Sequence, residues 1–569
     1  MNLGSQYPVP REQWGVLTDR VDDILHHQRS LFSLESDIEA EAQRIAKKLI
    51  GRNREYSAIH EEQAGSDYRT VDVDTLQSSN LRSVGVEHIA YDALQALELD
   101  RKFAALGYNS IEQAAAIGTI IGRMAMPGSE RSTHAWLQRE SGLGELIDYD
   151  FDQCHLDRMY RVSDKLLKDK DILEAHLFNR ESLLFNLDCT ITLYDLTNTF
   201  FEGTARGNNL AAYGRSKEKR SDCPLVTLAL VLDSSGFPRS SKVFAGNASE
   251  PLTLKEMVES LSTSASNPLI VMDAGIATEK NLTWLKDKGW RYLVVSRKRY
   301  KEWDEEKSCL VRENGHNEVR IYSKRNEQTD ETELYCHSTL RAAKEEAMDS
   351  QCEKRFVDKI TALAEGLTKK GHIKNYDKVT LSIGRLKAKY ARVAQHYSIE
   401  LSKADKGKNA TSLSFERINH EAKAYAGVYC LRTNIPDWDD ERLWRTYIML
   451  TDLEAVFRSM KSELGMRPVY HQKTARVKGH LWITLLAYHL VHYIRLHLKD
   501  HDIHDSWETL RRTMRGHMRV TTTMRTKAGD TLHIRKAARP EPWQQTIYKA
   551  LGLSYNPGGN VKTIIADRE

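Results

Sequence analysis

The sequence predicts an α/β protein whose mixed-sheet core is interrupted by an inserted domain and lies between a helical N-terminal domain and a helical, basic C-terminal region. Three observations carry that reading. Near residue 181 the pattern switches from helical periodicity to consecutive runs rich in β-branched and aromatic residues. Two later runs, PLIVMDAG and RYLVVSRK, are continuous and apolar and alternate with helices, as interior parallel strands do. From about 300 to 440 that order gives way to charged sequence with its own periodicity and few Gly or Pro.

Taken in order, Val16 to Arg52 has helical periodicity with mixed charges and forms a predicted helical arm, residues 1–55. A helical domain follows over 56–180, built from VEHIAYDALQALELDRKFAALG, SIEQAAAIGTIIGRMAM, ERSTHAWLQRESGLGEL and DRMYRVSDKLLKDKDILEAHLF. Ser110 and Ser129 are candidate caps and Gly107 a candidate stop; YRTVDVDTL, ahead of them, alternates like a short strand. This domain is either a DNA-recognition unit or a scaffold. Next, NLDCTITLYDLTNTFFEG, LVTLALVLDSSGFP and SSKVFAGN predict an antiparallel meander with a turn at Asp233 to Gly236. With LKEMVESLS and TEKNLTWLKDKG as helices, the order over 181–300 is β-β-β-α-β-α-β, the ribonuclease H-like order. The inserted domain, 301–440, holds a hairpin (EVRIYSKRNEQTDETELYCHS), a long charged helical passage and strands at AKAYAGVYCLRTN. The core resumes over 441–500, where LWITLLAYHLVHYI reads as a buried helix too short to span a bilayer. In 501–569, Arg511, Arg512, Arg515, Arg519, Arg525, Lys527, Arg535, Lys536 and Arg539 form either a phosphate-contacting face or a solvated tail.

Composition narrows the class. Hydrophobic content of 40% and charged content of 28% describe a globular protein of 569 residues, long enough for several cores. A net charge of only +4 excludes a global polycation, so any nucleic-acid affinity must come from local basic faces. Seven scattered cysteines with no CxxC pair argue against a zinc ribbon or disulfide framework and for a reducing, cytoplasmic setting. With no signal-like segment and no apolar run of about twenty residues, no membrane partner is expected.

The candidate chemistry is carried by carboxylates. Asp195 sits late in the first core strand and Asp273 ends the fourth; if those strands are neighbours, both acids reach one sheet edge, where ligands commonly bind. Each follows an apolar run without a basic neighbour, so an uncompensated charge there would be costly. A divalent cation resolves that cost, and oxygen-only ligands suit Mg²⁺ or Mn²⁺. Asp188, on the opposite face by alternation, and Asp233, which opens a turn, are excluded. The third acid comes from YIMLTDLEAVFRSMK. On a helix, Tyr447, Glu454 and Lys461 lie seven residues apart, with Arg458 four beyond Glu454, all on one face, while Leu450, Leu453, Val456, Phe457 and Met460 offer a docking surface. Glu454 would complete a site for two metals about 3.5–4 Å apart. On spacing alone, a solvated helix laced with ion pairs fits equally well.

YDLTNTFFEG around Asp195, VMDAGIATEKNL around Asp273 and YIMLTDLEAVFRSMKSELGMRPVYHQKTARVKGHL around Glu454 together resemble the DDE transposases of bacterial insertion sequences. The likeness is to the insertion-sequence-four-like group and its long-chain offshoot, which carries an insertion before the catalytic Glu, and covers about residues 85–550. It implies that Asp195, Asp273 and Glu454 are catalytic and hold two ions of Mg²⁺ or Mn²⁺. The implied reaction is cleavage of double-stranded DNA at transposon terminal inverted repeats and strand transfer into target DNA. A homodimer on DNA at the bacterial nucleoid follows from the same likeness. Tyr447 and Lys461 match the family's Tyr-Arg-Glu-Lys pattern, but Leu450 stands where its Arg is expected, and Arg458 is the candidate replacement. With those three, Arg467, His471, Lys473, Arg476 and Lys478 are expected beside the cleaved strand. His471 and His480 are not read as a metal pair; His489, His492 and His497 read as core or surface residues. Trp438 and Trp444 either stack on an extruded base or pack. The helical passage at 338–400 departs from the family's β-rich insertion. Two alternatives stay open: a stand-alone metal-dependent DNA endonuclease, and a non-catalytic DNA-binding protein derived from a transposase.

Overall fold

The protein's structure, a computed structural model, describes residues 14–25, 42, 45, 68–185, 191–214, 220, 222–261, 269–296, 303–315, 317–404, 407–418 and 426–566. Helix α1 (Trp14–Leu25) falls in the predicted arm; most of that arm, and Asp188, lie outside the described residues. Strand β1 (Val71–Ser83) precedes α2 (Gly85–Ala96), α3 (Leu99–Ala105), α4 (Ser110–Ala125), α5 (Glu130–Arg139), α6 (Leu143–Ile147), α7 (Leu156–Lys168) and α8 (Lys170–Phe185). The cap of α4 is Asn109 and not Ser110: its side chain accepts from the Glu112 amide while the Glu112 carboxylate accepts from the Asn109 amide. Ser129 does cap α5, and Gly107, at φ +74°, follows α3.

The core comprises β2 (Ile191–Phe200), β3 (Leu225–Leu232), β4 (Pro238–Ala245), α9 (Glu250–Leu261), β5 (Leu269–Met272), α10 (Glu279–Asp287) and β6 (Arg291–Val295). Strands β2, β3 and β4 pair antiparallel, whereas β2, β5 and β6 pair parallel, giving the spatial order β4-β3-β2-β5-β6. This topology is consistent with a ribonuclease H-like core. Alternation sends Leu193, Leu228, Leu230, Val271 and Leu293 to one face, in the main core. Tyr194, Leu196, Ala229, Val231, Ile270 and Met272 go to the other, beneath α9 and α10.

The inserted segment does not form a body apart from this sheet. Strands β7 (Cys309–Asn314), β8 (Asn317–Asn326), β9 (Glu331–Ser338) and β12 (Val428–Thr433) continue it beyond β6 in the order β12-β9-β8-β7. Glu331, almost fully buried on β9, explains the join: it accepts from Arg432 Nε of β12 (2.7 Å), Lys286 Nζ of α10 (2.7 Å) and Tyr292 Oη of β6 (2.5 Å). Only α11 (Thr339–Gly366), α12 (Tyr376–Lys389), α13 (Ala391–Ala394) and the β10 (Tyr397–Lys403)–β11 (Ala410–Arg417) hairpin have small cores of their own, around Phe356 and Val379.

Then come α14 (Asp440–Ile448), α15 (Leu450–Arg458) and α16 (Thr474–Lys499). Helix α16 is buried from Gly479 through Val491 and closes on α7 at Gly479, where a Cβ would clash with Ser163 Oγ. Among the described residues no helix is long and apolar enough to cross a membrane. The C-terminal region corrects the expectation of a helical segment. Besides α17 (Trp507–Arg515) and α18 (Pro542–Leu551), it contains β13 (Met518–Thr526), β14 (Thr531–Ala537) and β15 (Val561–Ile565), which with β1 form an antiparallel sheet, β1-β13-β14-β15. MRVTTTMRT and TLHIRKA have the β-branched content of strands, masked in sequence by their charge. Several of those charges are structural. Arg519 is 1% exposed, donating to Glu145 (2.8 Å) and Gly559 O (3.0 Å), and Arg535 shares Glu145. Arg511 donates to Glu463 O (2.6 Å). Arg512, Arg515 (in a surface pair with Glu140, 3.7 Å), Arg525, Lys527, Lys536 and Arg539 stay exposed.

Burial pushes the imidazoles of His88 and His492 down to about 4. Between there and the ordinary value near 6.5 the unfolded chain binds more protons, so their stabilisation is complete above 6.5 and is lost as pH falls toward 4. Glu87 and Glu181, raised by burial, act with the opposite sign. The difference between wild type and His492→Gln therefore isolates the histidine: urea unfolding of the variant should vary less between pH 7 and 5, and parallel pH curves would refute this.

Candidate active site

Strand register builds the site. Tyr194 on β2 stands opposite Met272 on parallel β5, so the next residues, Asp195 and Asp273, stand side by side where β5 ends. Neighbouring strands lie about 4.8 Å apart. Alternation places Asp195 on the Leu193 face, opposite Tyr194 and Leu196. Helix α15 packs against β2, anchored in the same core as Leu193 by Val456 and Phe457, which brings Glu454 to the Asp195 side of the sheet. Asp195 is half-buried; Asp273 and Glu454 are exposed. Each aspartate accepts from the amide that follows it, Leu196 or Ala274, at 2.7 Å.

The Tyr447 phenol reports on the same edge. Burial pushes it up, the charge of Asp273 pushes it further, and Glu454 adds to that while Arg341 opposes it. The oxygens of Asp195, Asp273 and Glu454 do not all lie within 4.8 Å of one another. As a donor set, three carboxylates from two strands and a helix fit a hard divalent cation.

The predicted single helix from Tyr447 to Lys461 is broken. Tyr447 ends α14, Glu454 lies on α15, and Lys461 sits in a π-turn spanning Ser459–Glu463. Serine hydroxyls compete for the local hydrogen bonds: Ser462 Oγ donates to Arg458 O (2.6 Å), and Leu464 N reaches back five residues to Ser459 O (3.2 Å).

Arg458 and Lys473 are exposed; Lys461, Arg467 and Lys478 are partly so. Arg467 precedes a segment that runs beside the end of β2: Val469 N donates to Phe200 O (2.9 Å) and Glu202 N to Val469 O (2.9 Å). The bridge is parallel, and Thr199 Oγ1 donates to Met466 O (3.3 Å), which places Arg467 about 13 Å along the strand from Asp195. Two expected DNA contacts are otherwise engaged. Arg476 pairs with Asp164 (2.9 Å). His471, 15% exposed, bonds to buried Glu130 of α5 (3.0 Å) and meets the His480 ring edge-on. Trp444 is buried, donating to Tyr429 Oη (3.0 Å), and Arg442 covers Trp438 at 3.9 Å; both read as packing.

Among the described residues, Glu130, His471 and His480 are the one group with metal-ligand spacing. Sequence had set the two histidines aside, and only the docking of α5 brings Glu130 to them. The group is nonetheless a hydrogen-bonded network. Arg123 Nη2 lies 3.2 Å from His480 Nδ1, and His480 Nε2 faces Met466 O at 3.1 Å, so both ring nitrogens are occupied beside a buried cation. Burial pushes the Glu130 carboxyl up, but His471 and Arg123 outweigh it and hold it low; burial, then Arg123, push His480 down.

Asp195 within β2 and Asp273 just past β5, with a third acid on a helix packed over that face, make an acidic-edge arrangement consistent with a ribonuclease H-like core. The chain matches the Transposase DDE domain family over residues 199–490, just over half its length, and belongs to that family. The match takes in Asp273 and Glu454 and begins four residues after Asp195. No curated protein matches. Among solved structures, the chain is similar to a piggyBac transposase synaptic complex with hairpin DNA at 9% identity, covering 79% of this chain and 82% of that one, with a TM-score of 0.30, too low to bear on fold or chemistry.

Removing one member of a buried charged network costs about 3–5 kcal/mol. Glu130→Gln should therefore lower unfolding stability by about 3 kcal/mol in chemical denaturation, and an unchanged midpoint would remove Glu130 from the docking of the helical domain.

Proposed function

We propose that the chain is a transposase that cleaves double-stranded DNA at transposon terminal inverted repeats and joins the freed 3′-hydroxyl to target DNA. The observation that carries this is the side-by-side register of Asp195 and Asp273 with the Glu454 helix packed on the Asp195 face. In this reading Asp195, Asp273 and Glu454 hold two ions of Mg²⁺ or Mn²⁺. Such ions supply activation of the attacking oxygen and charge stabilisation at the leaving one. The protein's own part is positional. Tyr447, held by burial as a neutral phenol, donates a hydrogen bond toward substrate oxygen. Arg458, Lys461, Arg467, Lys473 and Lys478 neutralise backbone phosphates. His471 and Arg476 act one step back, seating the loop after the glutamate helix against α5 and α7. We further assign the chain to the insertion-sequence-four-like group and expect two copies to synapse a pair of ends.

With a labelled duplex carrying one terminal inverted repeat, Asp195→Asn, Asp273→Asn and Glu454→Gln should each reduce cleavage by at least about 10²–10³-fold while leaving end affinity within about threefold, roughly 0.65 kcal/mol. Full cleavage by Asp273→Asn would overturn the site. A pre-cleaved end that is bound but never joined to target would instead favour a stand-alone endonuclease. An end that wild type binds without cutting in Mg²⁺ or Mn²⁺ would favour a non-catalytic DNA-binding protein.

A further inference from the structure

The glutamate helix lacks one cation. Leu450, partly buried against the main core, stands where the resemblance calls for Arg. The inserted segment brings another cation toward Tyr447. The first turn of α11 begins at Ser338, whose hydroxyl accepts from the Arg341 amide (3.3 Å). The Arg341 guanidinium lies 4.9 Å above the Tyr429 ring, and that ring is 6.2 Å from the Tyr447 ring. Arg341 Nε donates to Glu345 (3.0 Å), whose other oxygen accepts from the Gly427 amide (3.0 Å). Gly427, at φ +83°, must be glycine for this approach, since a Cβ there would meet Ser338 O at 2.6 Å. The side chain is thus aimed from its Nε side and remains 46% exposed. The Tyr447 phenol, which feels Asp273 and Glu454, also feels Arg341.

We propose that Arg341, carried in by the inserted segment, is a substrate-positioning residue of this site: its terminal nitrogens take a non-bridging phosphate oxygen of the DNA strand beside the three carboxylates, the contact Leu450 cannot make. The assignment rests on the catalytic reading above. It gives the insertion a direct role at the reacting strand.

The test is single-turnover cleavage of the same end duplex over a range of DNA concentrations in Mg²⁺. A charge-assisted phosphate contact is worth about tenfold to a hundredfold. Arg341→Ala should raise the half-saturating DNA concentration or lower the maximal rate by that factor, with Arg341→Lys intermediate and thermal melting unchanged. The double variant Arg341→Ala/Leu450→Arg should recover at least tenfold over Arg341→Ala, a rescue that a merely structural role would not produce. A folded Arg341→Ala that cleaves like wild type overturns the proposal, as does a folded double variant no better than Arg341→Ala. If Asp273→Asn also cleaves normally, the catalytic reading has failed; if Asp273→Asn is inactive, only the role of Arg341 has.

Discussion

The parallel pairing of β2 with β5 is the constraint on which the site depends. It aligns Tyr194 with Met272 and therefore Asp195 with Asp273. A slip of one residue would turn one carboxylate to the opposite face, because side chains alternate with a period of two. The buried rows on either side of the sheet resist that slip, since moving β2 by one would also send Leu193 and Tyr194 into the wrong cores. Two acids at a sheet edge are thus held in place by the apolar residues that precede them.

The rest of the molecule is arranged around that edge by charged, buried joints. Glu331 gathers cations and a phenol from β12, α10 and β6, so the inserted segment is part of the sheet and can present α11 to the site from a fixed base. Glu130 does the same for the helical domain, binding His471 while Arg123 faces His480. Glu145 holds Arg519 and Arg535 and ties the C-terminal sheet to the helices. Such joints are strong only as complete sets, because a lone buried charge left behind is costly. They also account for the buried arginines Arg123, Arg432 and Arg519.

Much of this was legible beforehand. The strand order, the turn at Asp233 and the acids ending two apolar runs follow from local pattern, and the structure has strands and a turn where that pattern put them. Charge in sequence does not report how a side chain is engaged. Arg519, Arg476 and His471 look like DNA contacts in sequence, yet Glu145, Asp164 and Glu130, each hundreds of residues away, engage them. The cap at Asn109 and the π-turn at Ser459–Glu463 were missed for a smaller reason: side-chain hydrogen bonds to the backbone contribute to them, and neighbouring residues offer the same chemistry.

By itself, the sequence determined which residues are β-branched, apolar or acidic, and hence the alternation that orients each strand and the acids at its end. Only the tertiary structure decided which strands are neighbours, that the insertion joins the sheet, and that Arg341 lies near Tyr447. Alternation is a local property set by backbone stereochemistry, whereas pairing between distant segments depends on which buried surfaces and charges complete one another, and no short window of sequence contains both partners.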